Sequence, residues 1–199
     1  CIRDRAKGAR NFGASILQGV KVTAIQQANG RVTGVETDHG PIAADYVVNA
    51  GGMWGREIGA MADVAVPLHA CEHFYIVTEA MPDLAANLPV LRVPDECAYY
   101  KEDAGKILLG AFEPNSKPWG MNGIPGDFEF DSLPEDFDHF EPILERAVER
   151  FPLLASAGIQ TFFNGPESFT PDDRYILGEA PELDNFYVAA GFNLSLIHI

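Results

Sequence analysis

The spacing of apolar residues along this chain changes several times, and each change falls at a turn signal. From Ser15 to Asn49 apolar and polar positions alternate as in half-buried strands, which predicts strands over Val20 to Gln27, Arg31 to Thr37 and Tyr46 to Asn49. Between them lie Asn29-Gly30 and Asp38-His39-Gly40, residue types that accept the positive φ of tight turns between twisted strands. The segment therefore reads as a small meander feeding a buried strand. Tyr46-Val47-Val48 runs into Asn49-Ala50-Gly51-Gly52, and Met53 to Met61 reads as a short helix, giving a strand, a glycine turn and a helix in succession. Pro67 to Glu79, Val90 to Pro94, Cys97 to Glu102 and Lys106 to Phe112 predict further strands, forming an antiparallel sheet of their own. Beyond an acidic, proline-punctuated connection, Phe140, Ile143, Leu144, Ala147, Val148 and Phe151 recur at helical spacing and predict a helix over Asp138 to Arg150. Gly158 to Phe163 predicts one more strand, and Pro166 to Asn193 returns to a turn-rich, strand-containing style. No internal repeat interrupts this order.

Composition narrows the class. Hydrophobic residues make up 47% of the 199 and aromatic ones 11%, which excludes a disordered chain and leaves room for one large core or two small ones. Against 29 acidic residues stand 14 basic ones, a formal charge of -15 that disfavours nucleic acid and anionic membranes as partners. The acids gather in Asp127, Glu129, Asp131, Glu135, Asp136, Asp138 and Glu141, interleaved with Phe128, Phe130, Phe137 and Phe140. Such a run usually faces water, and a protein-docking surface is the alternative. Cys1, Cys71 and Cys97 are too few and too scattered for a disulfide framework or a zinc site, which suits a reducing compartment, cytoplasm or organelle matrix. No apolar run is long enough to span a bilayer.

Both ends carry an expectation. The chain opens at Cys1 inside what reads as a helix, Arg3 to Asn11, closed by Gly13, so something is expected to precede it. Leu194 to Ile199 changes character abruptly and matches the conceptual translation of a transposase adapter. Those residues are expected to be read-through, and His198 receives no role.

Chemistry enters first at Asn49 to Trp54, where paired glycines at a strand end let a backbone approach a ligand phosphate or simply make a tight turn. No G-x-G-x-x-G fingerprint is present. Six stretches taken together say more: Gly19 to Ile25, Gly30 to Gly40, Ala44 to Trp54, Glu72 to Thr78, Phe112-Glu-Pro-Asn-Ser-Lys-Pro-Trp119 and Asn164 to Pro181. In this order they resemble the D-amino-acid-oxidase-type flavoprotein superfamily, and the last two resemble its dimethylglycine and sarcosine dehydrogenase branch. The resemblance runs from about Ala6 to Asn193.

That resemblance implies an α/β (α+β) chain in which part of an FAD-binding, Rossmann-like domain (residues 1–64 and 166–193) is interleaved with an antiparallel-sheet substrate domain (65–165). It implies FAD as cofactor and oxidative demethylation of an N-methylated glycine by hydride transfer. Tetrahydrofolate and an electron-transfer flavoprotein are implied as partners of the whole protein. Val22, Ala50, Gly51 and Trp54 match positions along the nucleotide part of FAD, and Gly178, Gly191, Phe192 and Asn193 match segments beside its ribityl chain and ring. Asp173 stands where the family has glycine. His73 and Tyr99 match residues implicated at the substrate site. Hydride leaves only from a neutral amine, so a base of tunable pKa helps. Tyr100 adjoins Tyr99, and only one of two strand neighbours can face the flavin; Tyr99 is the one favoured. Arg92 and Arg174 are candidates to meet a substrate carboxylate, with salt bridges as their ordinary alternative. His69 and His139 are expected at the surface. A non-catalytic interaction protein and an oxidase of another amine or amino acid remain competing readings.

Overall fold

The structure, a computed structural model, describes residues 2–129 and 131–192. They divide into two compact units. The first holds the residues up to Gly51, Gly55–Val66 and Ile176–Ala189, and the second holds Gly52–Trp54, Pro67–Tyr175 and the residues from Ala190 on. The mixed α/β class with antiparallel sheets is as the sequence implied.

In the first unit a helix, α1 (Ile2–Asn11), precedes an antiparallel meander of β1 (Val22–Ala28), β2 (Arg31–Thr37) and β3 (Gly40–Ala43). Asn29 and Gly30 both take positive φ, 53° and 75°, as the hairpin requires. β3 was not legible in the pattern: its four residues show no alternation, and it exists because β2 offers it an edge. Gly34 makes that approach possible, since a Cβ there would lie 2.3 Å from the Ile42 carbonyl oxygen. A second sheet places β11 (Phe186–Ala190) between β10 (Ile176–Glu179) and β4 (Val47–Asn49), with β11 and β4 parallel. The helix expected over Met53 to Met61 is a 3-10 turn, Gly52–Trp54, followed by a six-residue α2, Gly55–Ala60.

The second unit is a five-stranded antiparallel sheet in the order β6-β7-β8-β5-β9, with β5 His69–Thr78, β6 Leu91–Val93, β7 Ala98–Asp103, β8 Lys106–Ala111 and β9 Ile159–Phe169. β9 continues six residues past the Phe163 end that the sequence suggested. Gly165-Pro166 reads as a breaker, but β9 is an edge strand, where a missing N–H leaves no inner ladder bond unmade.

Helix α3 (Phe137–Arg150) covers one face of this sheet. Asp136 caps it by accepting the His139 backbone N–H at 3.1 Å, and the Lys117 ammonium pairs with the same carboxylate. Phe140, Ile143 and Ala147 of the predicted stripe pack on Phe74, Ile76, Tyr100, Leu109 and Phe162, with Leu144, Val148 and Phe151 at the margin. Each large side chain buried here contributes about 1.5–3 kcal/mol, so this face carries the stability of the unit.

Candidate functional site

The glycine turn of the first unit is built by Asn49. That side chain is buried, donates through Nδ2 to the Gly55 carbonyl at 2.8 Å and accepts the Gly51 N–H at 3.2 Å. A Cβ on Gly51 would lie 2.3 Å from Ile58 Cδ1, so a side chain there would have to displace the Ile58 methyl, and Gly52 adopts φ 58°. The turn itself favours glycine at Gly52, and the Gly51 N–H is already engaged by Asn49. Ala50 and Trp54 are exposed beside it. Val22 is half-buried at the start of β1, paired in register with Thr37. Gly178 lies exposed in β10 with open space where its Cβ would be, so contacts within the described chain do not explain that glycine.

In the second unit the face of the sheet turned away from α3 carries a different set of residues. Register aligns Arg92, Tyr99, Gly110, Tyr75 and Phe163 in one row across β6, β7, β8, β5 and β9. His73 sits two residues from Tyr75, hence on the same face, opposite Gly165. Two of these rings lie down over glycines: a Cβ on Gly110 would be 2.0 Å from the Tyr99 ring, and one on Gly165 would be 2.6 Å from the Phe163 ring. Tyr75 stacks on Phe163 at 4.7 Å, and Phe112 lies 5.4 Å from the His73 ring and 5.6 Å from Tyr99. Arg92 places its guanidinium 5.0 Å from the centre of the Phe112 ring. The result is an aromatic face, with Phe112 tilted about 45° to the His73 and Tyr99 rings, that carries one histidine and one cation. Tyr100 points the other way, into the core under α3.

His73 is 6% exposed, and burial pushes its pKa down to about 4, so the imidazole is neutral at physiological pH. Its Nε2 makes no hydrogen bond. Its Nδ1 lies 4.0 Å from Oε2 of Glu113, a residue inside the Phe112–Trp119 motif to which the sequence reading gave no role. Burial raises the Glu113 carboxyl to about 7, further lifted by the charge of Glu72 and opposed by its own backbone N–H and that of Phe74, which donate to it. The separation exceeds a hydrogen bond and the imidazole is uncharged, so this is no ion pair at neutral pH. Burial also raises the Tyr99 hydroxyl, with Tyr75 and Glu113 adding to it, so Tyr99 stays a neutral phenol.

Gly191 is buried at φ 69°, with a hypothetical Cβ only 2.7 Å from Thr170 Cγ2, and Phe192 stacks on Tyr175 with centroids 5.2 Å apart. Asn193 lies outside the described residues. Asp173 takes φ 56°, a left-handed conformation that favours glycine and that aspartate tolerates. Arg174 is exposed next to it. His139 is not a surface residue: it is half-buried, with its ring 5.3 Å from Phe74. Of the described aromatics of the acidic segment, Phe140 enters the core and Phe128 lies on Trp119, whereas Phe137 touches Phe162 but stays exposed, as do Asp127, Glu129 and Asp131. Phe130 lies outside the described residues. Among the described residues there is no cluster fit to hold a metal, and no helix is long and apolar enough to cross a membrane.

A profile of the family described as FAD dependent oxidoreductase matches residues 3–196. The chain is 41% identical to 4-methylaminobutanoate oxidase (formaldehyde-forming) of Paenarthrobacter nicotinovorans, over 94% of this chain and 23% of that protein. It is 40% identical to the mitochondrial pyruvate dehydrogenase phosphatase regulatory subunit of Mus musculus, over 94% of this chain and 22% of that protein. With mitochondrial sarcosine dehydrogenase of Homo sapiens the identity is 38%, over 94% and 21%. Among solved structures, L-proline dehydrogenase from P. horikoshii superposes with a TM-score of 0.76 at 25% identity, over 94% of this chain and 48% of that one. The chain thus spans under a quarter of each of these three curated relatives.

Proposed function

We propose a function on the premise that this chain belongs to the FAD dependent oxidoreductase family: it forms the interior part of an enzyme that demethylates an N-methylated glycine, dimethylglycine or sarcosine. The observation that carries this reading is the buried, neutral, unpartnered Nε2 of His73 on an aromatic face that also holds Tyr99 and Arg92. FAD, the cofactor of the family, supplies the acceptor for a hydride from the N-methyl carbon. The floor made by the Tyr99 and Phe163 rings over Gly110 and Gly165 suits a planar conjugated ring system. In this reading the substrate sheet is the second unit, while Val22, Ala50, Gly51 and Gly178 of the first, with Trp54, Gly191, Phe192 and Asn193, hold the cofactor.

The chain's own residues then do three things. His73 is placed to take a proton from the substrate ammonium, freeing the lone pair without which no hydride departs; burial keeps the imidazole unprotonated at neutral pH but also weakens it as a base. Arg92, held on Phe112, meets the substrate carboxylate. Tyr99 keeps its hydroxyl proton and donates it as a hydrogen bond. Hydrolysis of the imine, or its transfer to tetrahydrofolate, and electron delivery to an electron-transfer flavoprotein belong to the whole protein.

Anaerobic mixing of the FAD-loaded protein with sarcosine, dimethylglycine and 4-methylaminobutanoate tests the proposal. Bleaching of the flavin absorbance by either glycine derivative is expected. Bleaching by 4-methylaminobutanoate alone would move the substrate to a longer acid. A second reading rests on the 40% identity to a phosphatase regulatory subunit, nearly equal to that with the oxidase. No bleaching by any of the three, with FAD bound, would favour that non-catalytic role.

A further inference from the structure

We infer that Glu113 is a positioning acid for His73, a buried carboxyl set against the Nδ1 side of the imidazole so that Nε2 is the proton-accepting atom on the aromatic face. This rests on the amine-oxidation reading only for the source of the proton.

The geometry starts from the backbone. The β5–β8 ladder stops at Tyr75 opposite Gly110, and the chain leaves β8 after Ala111. The Glu113 side chain takes over where the ladder ends and accepts the Phe74 N–H. That task alone would be done equally well by glutamine. What a carboxyl adds is a charge that can appear and disappear, 4.0 Å from Nδ1 and almost sealed from water, with side-chain exposures of 7% for His73 and 4% for Glu113. Each of the two buried groups keeps one atom without a hydrogen-bond partner, His73 Nε2 and Glu113 Oε1. Burying such atoms costs free energy, and a folded site retains them where they serve a ligand or each other.

The other groups acting around Glu113 do not replace His73 in this role. Glu72, on β5, opposes its ionisation; Cys71, also on β5, and Tyr99, on β7, are themselves held in their neutral forms by burial and by the Glu113 charge. His73 is the group beside it that gains a positive charge during turnover. In the step, the substrate N–H bond breaks and an Nε2–H bond forms; Nδ1 keeps its proton toward Glu113, and the imidazolium charge is balanced by the carboxylate. No electrons are exchanged. Because the two sites interact this closely, they titrate as a pair.

The test is nitrogen-15 NMR of the histidine rings in the FAD-loaded protein, with His73 assigned by His73→Asn. A His73 inflection near pH 7, where Glu113 ionises, is expected in the natural protein and should vanish in Glu113→Gln, which keeps an acceptor for Phe74. The same variant should lower kcat/KM for the amine on the order of 100-fold at pH 8. A His73 titration unchanged by Glu113→Gln overturns the inference. Should that variant not fold, carbon-13 titration of the Glu113 carboxyl in His73→Asn decides instead, since linkage is reciprocal; an unmoved Glu113 overturns it. Coupling without any amine oxidation would sink the proposed function and leave the pair standing.

Discussion

The two faces of the five-stranded sheet are made from the same strands, often from adjacent residues, yet they are opposite in character. Phe74, Tyr100 and Leu109 lie under α3 in a closed apolar layer, whereas His73, Tyr99 and Gly110, each one position away, lie on the aromatic face. The core face is closed by large apolar side chains, into which the Tyr100 hydroxyl and His139 Nε2 intrude, both buried without a hydrogen-bond partner among the described residues. On the second face glycines lie beneath the rings, a histidine and a glutamate are buried with unpartnered atoms, and an arginine rests on a phenylalanine. The contrast teaches that one face holds the fold and the other holds polar groups at a cost that packing alone does not explain.

The largest effect that would sharpen this contrast is on the core side. Phe140 is fully buried, and Phe140→Ala should remove about 3–5 kcal/mol of stability while leaving turnover per folded molecule unchanged; chemical denaturation and kcat measure the two. A loss of turnover with stability intact would break the division of labour.

Next in size is a pair of pH terms. His73, lowered from 6.5 to about 4, binds fewer protons folded than unfolded between those values, so its contribution to stability rises with pH across that window. Glu113, raised from 4.5 to about 7, binds more protons folded, so its contribution falls as pH rises from 4.5 to 7. The two nearly cancel between pH 4.5 and 6.5 in the natural protein. Glu113→Gln should uncover the rising term and His73→Phe the falling one, each about 3 kcal/mol across its window by denaturant titration. Parallel pH profiles in both variants would show that the two groups are not buried as described.

The smallest effect concerns the glycine floor. Gly110→Ala would push the Tyr99 ring aside, costing about 1–3 kcal/mol of stability and lowering kcat/KM for the amine more than in proportion. Equal activity in that variant would remove Tyr99 from the site.

Much of the scaffold is legible in residue pattern because local physics dictates it. Asn29-Gly30 could hardly be anything but a hairpin turn, and Phe140, Ile143 and Ala147 had to share a helix face. The continuation of β9 through Pro166 was hidden, because a proline is tolerated there only by virtue of the strand's place at the sheet edge. β3 was hidden because its partner, not its own side chains, makes it a strand.

By itself the sequence determined most element types, the α/β class, the family through the order of six motifs, and that Tyr99 and Tyr100 face opposite sides of their strand; that Tyr99 is the one on the face of His73 came from the register. Tertiary structure alone decided that Glu113, 40 positions from His73, comes to its Nδ1, and that Arg92 rests on Phe112. The reason is that periodicity fixes which way a side chain points along its own strand. Only the register between strands, and the point at which a ladder stops, fixes what it meets across them.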